Sequence, residues 1–244
     1  GCLTPAGTVE MNGGAQAIGG AQPTTFNNLV FSGTPGAYKT LNVNASVGGV
    51  LSLGASVLDL NTRTLNLTNP ASGAVTYTAS GSIKSETDPA SGYGQIKWDI
   101  GTTSGTYSVP FGTANVGPDL LVNLATANAS GAGSLVFATY PVSVPATNDP
   151  LPSGVSSLGT TAAAIVDRYW IIDAQGYAAK PDISNLVFTY IDPADIDNTD
   201  NPGMQAANLQ AIRYTPLLNT WSDWPASGSA NAGVNTVTVS AVAG

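Results

Sequence analysis

Leu41-Asn42-Val43, Leu51-Ser52-Leu53, Leu58-Asp59-Leu60 and Leu65-Asn66-Leu67 follow one another in quick succession. Each triplet puts two apolar side chains on one side of the chain with a polar residue between them, the two-residue period of a β-strand. Asn, Gly, Ser and Thr fill the gaps, as turns require. The rungs recur at about seven to twelve residues, too closely for helices to intervene. Residues 1–90 are therefore expected to form a stack of short β-rungs, either the coils of a solenoid or an antiparallel meander. Asn61-Thr62-Arg63 reads as a turn, and the outward Asn side chains are expected to meet water in preference to forming side-chain ladders.

The same pattern reaches back through Met11-Asn12-Gly13, Gln16-Ala17-Ile18-Gly19-Gly20 and Phe26-Asn27-Asn28-Leu29-Val30-Phe31. Asn12-Gly13 suits a tight turn, and Ile18, Phe26, Leu29 and Phe31 suit the interior of successive rungs. Beyond residue 90, Ile96, Trp98 and Ile100 alternate on one face, as do Tyr107, Val109 and Phe111. The Gly-Thr-Thr-Ser-Gly between them (101–105) reads as a hairpin loop. Further strands are expected over 120–125, 134–140, 186–191 and 209–214, with closing strands near Trp221 and Val237. Residues 141–165, rich in Pro, Ser and Ala, read as a long connection.

These stretches together resemble the repeat and β-sandwich regions of secreted cell-surface proteins of Bacteroidota-type bacteria, adhesins or filament proteins exported by type IX secretion. The resemblance rests on Gln16-Ala17-Ile18-Gly19-Gly20, on Trp98-Asp99-Ile100-Gly101 followed by Tyr107-Ser108-Val109-Pro110-Phe111-Gly112, and on Asp167-Arg168-Tyr169-Trp170. Met11 stands where that pattern more often has Phe. The resemblance implies an all-β chain, with a β-rung region over 1–90 and an antiparallel sandwich, Ig-like or jelly-roll-like, over 91–244. It also implies secretion to the bacterial cell surface.

Composition narrows the function classes. Of 244 residues only 9% are charged, while 43% are hydrophobic. Ser, Thr, Asn and Gly therefore carry solubility, unlike the roughly 25% charge of ordinary soluble domains. The net charge is −8 and the seven basic residues are scattered, so the footprint of a nucleic-acid binder is missing. No apolar run approaches the roughly 18 residues of a membrane span. There is no histidine, which removes the usual general base and the commonest transition-metal ligand. The only glutamates are Glu10 and Glu86. No nucleophile elbow, phosphate loop or metal triad is present, and the chain reads as a non-enzyme.

Four features are candidate sites. Asp192, Asp195, Asp197 and Asp200, with neighbouring Asn residues, could wrap one Ca²⁺, or form a solvated loop. Trp221 and Trp224 could stack on a sugar, or fill a core. Arg168, set among aromatics, calls for a carboxylate partner, with Asp167, Asp173 and Asp182 as the near choices, or for a ligand. The apolar N-terminal stretch, with Cys2, Leu3 and Val9, could be lent as a strand to a neighbouring copy, or be a free tail or a frayed first strand. Cys2 is the sole cysteine; it could be acylated, as Gly1-Cys2 resembles the end of a lipobox, cross-linked between copies, or inert.

Two functions follow as expectations. The first is a structural subunit of a surface filament or adhesin stalk, polymerised from identical copies by strand contacts. The second is an adhesin domain that binds surface glycans, with the two tryptophans and the aspartate loop, loaded with Ca²⁺, as its site.

Overall fold

A rung that alternates apolar and polar residues buries one face and leaves two backbone edges to be paired. The computed structural model, which describes residues 7–87, 91–113, 117–192, 194–196, 204–216, 218–223 and 229–242, pairs them in parallel. The first twelve strands make four coils of three. These are β1 (Thr8–Met11), β2 (Gln16–Ile18) and β3 (Thr24–Phe26); β4 (Asn28–Phe31), β5 (Tyr38–Leu41) and β6 (Ala45–Val47); β7 (Leu51–Leu53), β8 (Val57–Asp59) and β9 (Thr64–Leu67); and β10 (Val75–Tyr77), β11 (Ser82–Lys84) and β12 (Gln95–Trp98). Like strands stack into three parallel faces: β1-β4-β7-β10, β2-β5-β8-β11 and β3-β6-β9-β12. The rungs form a solenoid and not a meander. Leu51-Ser52-Leu53 and Leu58-Asp59-Leu60, neighbours in sequence, lie on different faces. Their partners are one coil away.

The register explains the apolar pattern. Val9, Leu29, Leu51 and Val75 stack on one face, and Phe26, Val47, Leu67 and Trp98 on another. Every second residue points inward, so the coils share one filled interior. Coils this close leave little room at the corners. A Cβ on Gly54 would sit 2.7 Å from the Phe31 carbonyl oxygen of the coil below.

The asparagines join coil to coil, the ladder alternative and not the solvated one. Asn28 accepts from the Val50 N–H at 2.8 Å, and Asn44 from the Thr64 N–H at 3.0 Å. Asn61 donates to Leu41 O at 3.1 Å and to Asn42 Oδ1 at 3.2 Å. At solenoid corners the backbone leaves the ladder, and its orphaned groups need partners. A short amide reaches them. Lys39 plays a similar part from inside. Fully buried, it donates to Gly13 O and Gly14 O, both at 2.6 Å, and to Gln16 Oε1 at 2.9 Å.

The remaining strands are β13 (Gly105–Val109), β14 (Val122–Ala127), β15 (Ser134–Pro141), β16 (Arg168–Gln175), β17 (Asp182–Thr189), β18 (Ile212–Thr215), β19 (Thr220–Asp223), β20 (Ser229–Asn231) and β21 (Thr236–Val242). β12 pairs in parallel with β9 on one side and antiparallel with β15 on the other. One six-stranded sheet, β16-β15-β12-β9-β6-β3, therefore runs from the first coil into the sandwich. The parallel stacking extends past residue 90 to Trp98. The second layer of the sandwich is β13-β14-β17-β21-β20, and β18-β19 is a separate hairpin.

The 101–105 stretch is not a hairpin loop. β12 already has both edges filled, so β13 crosses to the other sheet and pairs with β14. The crossing packs Trp98 edge-on against Tyr107, with ring centroids 4.9 Å apart. Trp98 Nε1 donates to Asn69 O at 2.9 Å and Tyr107 OH to Pro70 O at 2.8 Å. One apolar core continues through this joint from Met11 to Val239. The architecture is all-β, a solenoid followed by a sandwich. No helix among the described residues is long and apolar enough to cross a membrane.

Candidate functional site

Arg168 opens β16 and turns its guanidinium into the protein. Nε meets Asp195 at 2.9 Å, Nη2 meets Glu86 at 2.8 Å, and Nη1 reaches Thr139 Oγ1 at 3.4 Å. The clamp expected from the sequence exists, but with different carboxylates. Asp167 accepts from Asn148 Nδ2 at 3.1 Å, Asp173 from Gln175 at 2.8 Å, and Asp182 from Asn128 at 2.8 Å. Alternation explains the difference for Asp167, whose side chain leaves the strand on the opposite side from that of Arg168. Glu86, which reads in sequence as part of a polar turn, is drawn inside by the charge.

The clamp joins three parts of the chain: the link between β11 and β12, the start of β16, and the segment after β17. Its two carboxylates share one cation. Burial pushes the Glu86 and Asp195 carboxyls up, and Arg168 offsets this only in part.

Asp195 is thus committed to the clamp. One oxygen faces Arg168 and the other accepts the Ile191 N–H at 2.7 Å. Asp192 is exposed nearby, and Asp197 and Asp200 lie outside the described residues. Among the described residues no three His, Cys, Asp or Glu side chains gather as a metal site. Trp221 is half-buried: its indole N–H donates to Ser157 O at 2.6 Å, and its ring leans on Tyr214 at 5.4 Å. Trp224, Cys2 and Leu3 lie outside the described residues. Val9 sits in β1, opposite Leu29, and packs against the core.

A groove of about 1260 Å³ runs along β16. Its floor includes Trp170, Ile172 and Ala174 of β16, with Ile183 and Phe188 of β17 opposite. Trp170 and Phe188 touch at 5.4 Å between centroids. Trp221 and Tyr214 belong to its wall. Every residue from Arg168 to Ala174 borders the groove, so it follows the edge of the strand and not only one face.

Among the described residues the backbone along that edge is open. Val142 N–H donates to Asp167 O at 3.0 Å, and Pro141 lies opposite Arg168. In an antiparallel pair bonded and unbonded positions alternate. Tyr169, Ile171 and Asp173 therefore bond to β15, while Trp170, Ile172 and Ala174 turn their N–H and C=O groups into the groove. Among the described residues no strand pairs with this side of β16. Two buried side-chain groups of residues lining the groove, Trp170 Nε1 and Tyr190 OH, also lack hydrogen-bond partners. Burial pushes the Tyr190 phenol up, which keeps it a donor.

The sequence carries a trace of the two clusters that β16 separates, with Trp170 and Ile172 against the main core and Tyr169 and Ile171 in a second one. Tyr169-Trp170-Ile171-Ile172 is apolar on both faces, whereas a strand with one face in water alternates. Comparison with protein-family models, with curated proteins and with solved structures finds no match.

Proposed function

We propose that this chain is a non-enzymatic, secreted structural protein, a subunit of a bacterial surface filament or adhesin stalk built by strand contacts between copies. The observation that carries the reading is the six-stranded sheet, whose terminal strands are β3 and β16. An unpaired strand edge is a template for another strand. Among the described residues no strand pairs with the outer side of β3 or β16; a molecule with such edges at opposite ends of one sheet can add copies head-to-tail, and contacts that do not close give an open filament. The low charge favours close repeated packing. Glu86 and Asp195 are bound to Arg168, which suits a pair that holds segments together better than one that transfers protons.

Sedimentation velocity on the purified chain over a range of concentrations tests this. An open-ended series of oligomers that grows with concentration is expected. A single sedimenting species at every concentration, or one closed oligomer, would contradict it.

A further inference from the structure

The groove along β16 is built to receive one more strand, and we infer that it takes residues 1–7 of a second copy. The inference rests on the reading of the chain as an assembling subunit, and names the acceptor and the donor.

The floor of the groove specifies an extended peptide. Trp170, Ile172 and Ala174 present outward N–H and C=O groups at every second residue, the spacing of a sheet ladder. Trp170, Ile172 and Phe188 supply an apolar surface for the side chains of an added strand.

The donor follows from length, charge and place. Gly1-Cys2-Leu3-Thr4-Pro5-Ala6-Gly7 has no Asp, Glu, Lys or Arg, as an apolar groove requires. At about 3.3 Å per residue it spans ~23 Å, enough to cover Arg168 to Ala174. It leads directly into β1 in the first coil. In the shared sheet, β3 of that coil and β16 lie at opposite ends, five strand spacings apart. At about 4.8 Å per spacing this is ~24 Å, so the segment of one copy is placed for the groove of the next. Val9 stays in β1 and is not donated. Pro5 lacks an N–H, so it must turn its nitrogen away from β16, which places Cys2, Thr4 and Ala6 against the strand.

Two experiments test the inference apart from filament formation. In the first, a synthetic peptide of residues 1–7 is titrated onto the chain lacking those residues, and amide exchange is followed along β16. The amides of Trp170, Ile172 and Ala174 are expected to exchange at least about tenfold more slowly with peptide bound. Ala174→Pro, which removes an outward N–H and no bond to β15, should abolish the protection while circular dichroism is unchanged. If the peptide protects none of these amides, the inference is overturned, whether or not the full chain assembles.

In the second, Asp173→Cys and Ala174→Cys at one end of β16 and Tyr169→Cys and Trp170→Cys at the other are placed singly in the full chain, so that both faces and both donor directions are sampled, and each is mildly oxidised. Cys2 is the only native cysteine, so a disulfide ladder between copies is expected from at least one of them. None is expected from Thr76→Cys on β10. Oligomers that form without a ladder, or an equal ladder from Thr76→Cys, would overturn the strand donation and leave assembly standing. A groove that takes oligosaccharides, with the peptide unable to compete, would overturn it in favour of glycan recognition.

Discussion

Arg168 shows how few charges this fold admits and how they are used. Its side chain and that of Asp195 are almost wholly buried, and Glu86 is 15% exposed. Removing the cation leaves two carboxylates facing each other in the interior. Arg168→Met should therefore cost about 3–5 kcal/mol, the usual penalty for orphaning a buried charge; chemical denaturation measures it. The pH dependence has an unusual sign. Burial raises the Glu86 and Asp195 carboxyls above their ordinary values of 4.5 and 3.8, so the folded chain holds protons that the unfolded chain releases. The contribution of these groups to stability is complete below the unfolded values and declines as pH rises through the folded ones. Denaturation midpoints should fall across that range, and less steeply in Glu86→Gln. The need for a partner to Arg168 was legible in the sequence. The partner's identity was not, because Glu86 comes from a strand link 82 residues away, and local spacing says nothing about such a pairing.

Among the elements, the corners decide what the rungs alone leave open. Leu-x-Leu pairs announce strands, but solenoid and meander share that period. What separates them is the angle at each corner. Between β8 and β9, Asn61 and Thr62 both adopt left-handed backbone, with φ of 46° and 64°. Asn tolerates this region, but a β-branched residue is strained there. Thr62→Asn should stabilise the chain by about 1 kcal/mol in thermal or denaturant unfolding. Gly54→Ala should do the reverse. Its methyl would meet the Phe31 carbonyl of the coil below, and a loss of about 1–3 kcal/mol is expected, with faster amide exchange in the second and third coils. The missed crossing at 101–105 has the same origin. A Gly-rich loop between two alternating strands looks like a hairpin until β12 is found to have partners on both sides.

For the whole molecule, the central fact is a single sheet that begins as parallel coils and ends as one antiparallel layer of a sandwich. Low charge, regular rungs and aromatic strands made the all-β class legible in the sequence. The shared sheet was not, because it depends on β12 pairing in two directions at once. Nor was the groove, which exists only once β16 is known to be an edge. Together they give the molecule two strand edges at opposite ends, and the proposed head-to-tail assembly follows from that arrangement. Negative-stain electron microscopy of the unaltered chain tests it most directly. Unbranched filaments that lengthen with concentration are predicted; separate particles of one size across the same concentrations would contradict the account.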